Sequence, residues 1–148
     1  MIKFLIPIAA VAAAGLACAP MPARADFSAC ESALQAKDVH QQIALYSSCL
    51  KRGGLVATDI AGAFNNRGVD YRRIGDTDAA LQDFTSSIQY DPNWPTAYVN
   101  RSYIEASRGK CEEALADLRM AAKLAPRHPD VMAAKERVSA ACPEAPKP

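Results

Sequence analysis

The chain has 148 residues, half of them hydrophobic and 22% charged, with a formal net charge of +1. That length holds one domain, with or without a processed segment, and excludes a multidomain enzyme. The near-neutral balance lacks the basic stripe that nucleic acid requires, and 7% aromatics leave no stacking platform for bases.

Met1 to Lys3 supply a positive start, and Phe4-Leu5-Ile6 leads into an alanine-rich run through Ala19. Ala23-Arg24-Ala25 is small-x-small, with Asp26 next. Charge, apolar core and cleavage site in that order predict a secretory signal peptide over 1–25, cleaved after Ala25. The alternatives are an uncleaved anchor and a lipoprotein at Cys18, where Leu16-Ala17-Cys18 approximates a lipobox. Pro7, Pro20 and Pro22 make a poor spanning helix, and Gly15 departs from the lipobox pattern. A periplasmic or secreted protein with no membrane span after cleavage is therefore expected. Cleavage leaves 15 basic and 16 acidic residues and four of the five cysteines: Cys30, Cys49, Cys111 and Cys142. An even count in an exported chain predicts two disulfides.

A shift of 34 residues aligns 61–94 with 95–128. Eight positions are then identical, including Asn66/Asn100, Arg67/Arg101, Gly75/Gly109, Ala80/Ala114, Asp83/Asp117 and Pro92/Pro126. Each repeat reads as two helices. Thr58, as a cap, starts one that runs through Ile74, where Gly75 ends it. A second runs from Thr77 through Gln89 to the Asp91-Pro92 stop. Tyr98 to Arg108 and Glu112 to Leu124 repeat the pattern, and Gly68 is expected to admit close packing against Ala80.

Phe64, Gly68, Tyr71, Ala80, Phe84 and Pro92 in one unit, with Tyr98, Ala114, Ala121 and Pro126 in the next, resemble the tetratricopeptide repeat. The resemblance implies an all-α, right-handed stack of antiparallel helix hairpins. Arginine stands at Arg67 and Arg101 where the family usually has leucine, and Ser87 and Glu105 also depart from it. Upstream, Tyr46-Ser47 parallels Phe84-Thr85 at a spacing of 38, so 27–57 is a degenerate unit with its extra residues in a Lys51–Ala57 loop. Phe27 to Ala36 is its short first helix. A capping helix follows the repeats within 129–142, with Val131, Ala134 and Val138 inward. The helical domain thus covers 26–142, about three units plus a cap, and 143–148 is a tail.

Midpoints between cysteines locate the disulfides, because antiparallel helices place residues opposite when their numbers average to the turn. Cys111 and Cys142 average to the Pro126-Arg127 turn, and Cys30 and Cys49 fall just beyond the Lys37-Asp38 turn. Cross-pairing would span opposite ends of a solenoid, beyond the roughly 7 Å Cα limit. The pairs expected are Cys30–Cys49 and Cys111–Cys142.

No phosphate loop, nucleophile elbow or helical His pair occurs, so no enzyme, metal or cofactor is expected. Arg67 with Asp83, and Arg101 with Asp117, are expected to form structural ion pairs inside each hairpin. First helices line the concave face, which gives Asn65, Asn66, Val69, Arg72, Arg73, Val99, Asn100 and Tyr103 as groove residues. Asn66 and Asn100 have two readings. By resemblance they hold the backbone of a bound peptide; alternatively they make a helix-to-helix hydrogen bond. A carboxylate clamp is not supported, since Phe27 and Glu31 stand at its first-unit positions. The function expected is a non-enzymatic interaction module of the cell envelope, binding a peptide or protein segment in the groove. Arg72 and Arg73 suggest an acidic segment. The alternative is a scaffold subunit that works through its convex face.

Overall fold

Capping aspartates and left-handed glycines set the helix boundaries. A computed structural model describes residues 28–143; the expected export segment over 1–25, the Cys18 alternative and the tail after Pro143 lie outside it. The described residues form seven α-helices: α1 (Ser28–Gln35), α2 (Val39–Arg52), α3 (Ala57–Arg73), α4 (Thr77–Tyr90), α5 (Pro95–Ser107), α6 (Cys111–Leu124) and α7 (Pro129–Ala141). Asp38 caps α2 by accepting from the Gln41 amide at 2.9 Å, and Asp76 caps α4 through the Ala79 amide at 3.0 Å. Gly75 and Gly109, at φ 85° and 74°, turn the chain from first helix to second in the two regular units. Pro95 and Pro129 open α5 and α7, where no amide donor is needed.

Several boundaries differ from the sequence reading. Thr58 is not the cap of α3: the helix starts at Ala57, after Val56, which offers no side-chain cap. The break before it is also shorter, because α2 persists to Arg52 before Gly53 and Gly54, both at positive φ. α5 begins at Pro95, since proline at the first position starts a helix without a polar cap.

Consecutive helices pair as antiparallel hairpins and stack into an all-α solenoid. Phe84 is fully buried between α3 and α5, with Ala80 and Ile104. Gly68 meets Phe84 rather than Ala80: a Cβ there would stand 2.7 Å from the ring edge. One unit later Ser102 is fully buried and the smaller Leu118 replaces Phe84, so a bulkier first-helix residue accompanies a smaller partner. Val131, Ala134 and Val138 of α7 close the C-terminal end against Val99, Leu118 and Ala121. Cys30–Cys49 joins α1 to α2 and Cys111–Cys142 joins α6 to the end of α7, with Cα separations of 5.4 and 5.3 Å.

Two arginines are built into this core. Arg67 Nε and Nη2 both donate to Asp83 at 2.8 Å, while Nη1 donates to Ser47 Oγ at 2.9 Å. Arg101 repeats the arrangement with Asp117 at 2.7 Å and Thr85 Oγ1 at 3.3 Å. Each guanidinium therefore joins its own hairpin to the second helix of the preceding unit. The carboxylate bonds hold both guanidinium pKa values above their usual range, against desolvation. Aromatic neighbours cover the cations, Phe64 and Tyr71 around Arg67 and Tyr98 beside Arg101.

A covered pair of this kind is costly to break and cheaper to replace whole. Asp117→Ala is expected to lower unfolding free energy by about 3 kcal/mol, near the lower bound for buried pairs because Arg101 keeps 23% side-chain exposure. Arg101→Met with Asp117→Leu should recover most of that loss. Urea denaturation with the disulfides intact measures both, and equal losses in the single and double variants would show that the ion pair is not what Asp117 supplies.

Candidate functional site

The hollow of the solenoid is lined by first helices, and it differs from an evenly spaced array. α5 and α7 pack closely together, whereas α1 packs on α2 and makes little contact with α3. Residues toward the C-terminal end are therefore covered. Val99 keeps 2% exposure and packs beneath α7, so it does not line an open groove. Asn65 and Asn100 are also buried: Asn100 Nδ2 donates to Asn65 Oδ1 at 3.0 Å, and Asn65 Nδ2 reaches Asn66 Oδ1 at 3.3 Å. For Asn100 this is the helix-to-helix bond. Asn66 combines both settings, because it also faces a cavity that Tyr46 lines.

The arginines separate. Arg73 Nη1 donates to Asp70 Oδ1 and to Gln42 Oε1, each at 3.1 Å, so its charge is already paired and held toward α2. Arg72 is exposed and its guanidinium lies 5.9 Å from the Tyr103 ring centroid. Val69, half-buried, packs against Phe84 and Ile104. Of the eight groove residues, Asn65, Val99 and Asn100 are buried, while Asn66, Val69, Arg72, Arg73 and Tyr103 keep some exposed surface.

The splay between α1 and α3 leaves a cavity of about 200 Å³. Leu34 of α1, Tyr46 of α2, Asp59, Gly62 and Asn66 of α3, and Trp94 before α5 surround it. Leu34 is 65% exposed, an apolar side chain left without cover. Gly62 presents no side chain, and the Trp94 ring stands 3.5 Å from where its Cβ would be. The Cys30–Cys49 bond forms part of the same wall. Leu34, Tyr46, Asp59, Gly62 and Trp94 were not among the residues the repeat pattern pointed to. The signal available was a lone tryptophan between Pro92 and Pro95 in an aromatic-poor chain.

A second hollow, of about 240 Å³, lies between α6 and α7 and is lined by Leu115, Arg119, Ala122, Lys135 and Ser139. Among the described residues no three His, Cys, Asp or Glu side chains converge as a metal site would require, and no helix is long and apolar enough to cross a membrane. His40 is exposed on α2, and His128 caps α7 by accepting from the Asp130 amide.

Burial pushes the Asp70 carboxyl above the usual carboxylate range, against the opposing bond from Arg73, and burial likewise raises the Tyr46 phenol. The native state thus holds the Asp70 proton more tightly than the unfolded chain does. Its contribution to stability is full below the ordinary value of 3.8 and is lost as pH rises through the raised folded value. Relative to Asp70→Asn, the parent protein is expected to gain stability on acidification through that window. Denaturant unfolding of both at stepped pH checks this; a difference that does not change with pH would contradict it.

No family model and no curated protein matches the chain. Solved structures do. It superposes on the Arabidopsis OM64 TPR domain with a TM-score of 0.65 and 25% identity, over 76% of this chain and 90% of that one. It also superposes on the first TPR of Spaghetti (RPAP3), solved bound to the HSP90 peptide SRMEEVD, with a TM-score of 0.68 and 18% identity, over 78% and 93% of the two chains. The hairpin stack described above is therefore the fold of tetratricopeptide-repeat domains.

Proposed function

We propose that this chain is a non-enzymatic interaction module of the cell envelope, periplasmic or secreted, that holds a peptide or an extended protein segment in its concave hollow. The cavity between α1 and α3 carries the reading. It joins an uncovered leucine and the chain's one tryptophan to the amide of Asn66, an apolar pocket with a polar group that can orient a chain. A structure with the same fold holds a peptide. Two disulfides within 116 described residues suit an oxidising compartment and an N-terminal export segment. The α6–α7 hollow, beside exposed Met132, favours the second reading, a scaffold that engages its partner through the convex side.

The exported protein tests this. Its intact mass should correspond to a chain beginning at Asp26 with no free thiol, and a diacylglycerol-modified Cys18 would refute cleavage at Ala25. Panning a random heptapeptide phage library against it should yield peptides that shift Trp94 emission, with dissociation constants on the order of micromolar. Trp94→Ala, which removes the fluorophore and is followed by titration calorimetry instead, should weaken them at least tenfold. Binders indifferent to Trp94→Ala but lost on Arg119→Ala with Lys135→Ala would instead support the convex reading.

A further inference from the structure

We propose that the cavity between α1, α3 and Trp94 takes one cationic side chain, a lysine or arginine from an extended segment of a partner protein, a proposal that rests on the groove reading above and names what the groove selects. Its volume of about 200 Å³ is below the roughly 300–1,000 Å³ typical of small-molecule sites. It suits one long side chain better than a whole ligand.

Charge complementarity assigns the sign. Six carboxylates among the described residues are buried or half-buried. Asp83, Asp117, Asp70 and Glu105 face Arg67, Arg101, Arg73 and Lys110, and Asp91 accepts from the Asn93 amide. Asp59 is the sixth: its backbone amide donates to Val56 O, but among the described residues no hydrogen bond or ion pair reaches its carboxylate. It lines this cavity with Trp94. The arginines of the hollow do not supply its partner, because Arg73 is held by Asp70 and Gln42 and Arg72 lies over Tyr103.

The other walls suit the same guest. Leu34 and the Trp94 ring can cover the aliphatic stem of a lysine or arginine, which buries its methylenes while its head seeks charge. The indole face attracts a cation, and Asp59 offers the carboxylate. Gly62 leaves the helix surface between them bare. An acidic side chain placed there would meet the like charge of Asp59 and no cation, with only the neutral donors of Tyr46, Thr58 and Asn66 at hand.

Panning the random heptapeptide library in parallel against the parent protein and Asp59→Asn tests the assignment. Peptides selected by the parent should carry Lys or Arg at one position at least fivefold above library frequency. Asp59→Asn should select at background frequency, and Asp59→Glu should restore the preference. Replacing that Lys or Arg by norleucine in a synthetic peptide should weaken binding about tenfold by Trp94 fluorescence, with the thermal melts of the variants unchanged. Peptides that shift Trp94 emission without basic enrichment, or with acidic enrichment, overturn the cation assignment and leave the groove reading standing. Displacement of a selected peptide by submillimolar tetramethylammonium chloride overturns the side-chain assignment in favour of a small cation. If no peptide shifts Trp94 emission, both readings fall.

Discussion

A guanidinium in a helix interface must find a carboxylate, and that requirement organises the solenoid. Arg67 and Arg101 stand where an aliphatic residue would pack by shape alone, and each fixes geometry instead. The planar fork grips Asp83 or Asp117 with two bonds, which sets the rotation of one helix against the other. Its remaining nitrogen reaches a hydroxyl of the preceding unit, Ser47 or Thr85. The irregular first unit is accommodated by the same device. Ser47 and Thr85 are 38 residues apart while the arginines are 34 apart, yet both hydroxyls meet their arginines. The four extra residues are absorbed between second helix and next first helix, around Gly53 and Gly54, where positive φ lets the chain detour without disturbing the contact.

Ends are the weak points of a short repeat stack, because a terminal unit has one neighbour instead of two. The C-terminal end is closed by packing and a disulfide together, with Val131, Ala134 and Val138 buried and Cys142 bonded to Cys111. The N-terminal end is built differently. α1 has eight residues, and among those whose burial is described Cys30 and Ala33 enter its core cluster. Closing α5 against α7 covers Val99 and Asn100; leaving α1 apart from α3 opens the cavity beside Trp94. The hollow is consequently asymmetric, and its accessible part sits at the less densely packed end.

What the sequence made legible follows the same division. The 34-residue period, the glycines at 75 and 109 and the proline joints were enough to read the hairpins, since each acts through its own backbone chemistry. Helix starts without a polar cap, at Val56 and Trp94, were harder, because the signals there are proline or tertiary packing. A repeat pattern predicts which face a residue occupies but not how closely neighbouring units approach, and so Asn65, Val99 and Asn100 are buried where an open groove is expected. Leu34 and Trp94 carry no repeat identity, one lying in the degenerate unit and the other at the last position of its repeat, paired with His128. Asp59 carries no sequence signal of its own. Its carboxylate's lack of a partner becomes visible only once every other covered carboxylate has been placed beside its donor.

Binding and folding meet at α1. A helix of eight residues is too short to persist alone in water, so tertiary contacts must hold it. Those contacts are with α2, and one of them is the covalent Cys30–Cys49 bond. Leu34 lies one turn beyond Cys30 on the same helix, so whatever fixes Cys30 also fixes the apolar wall of the cavity. The disulfide therefore does two things at once. It restricts the unfolded chain, which is its general effect on stability, and it positions the wall opposite Trp94. A thiol pair at these positions would leave α1 held on α2 by non-covalent contacts, among them buried Ala33 and the Gln42 side-chain bond to the Ala36 carbonyl. The contacts that hold α1 in the fold and those that shape the edge of the cavity are therefore one set, carried by a single short helix.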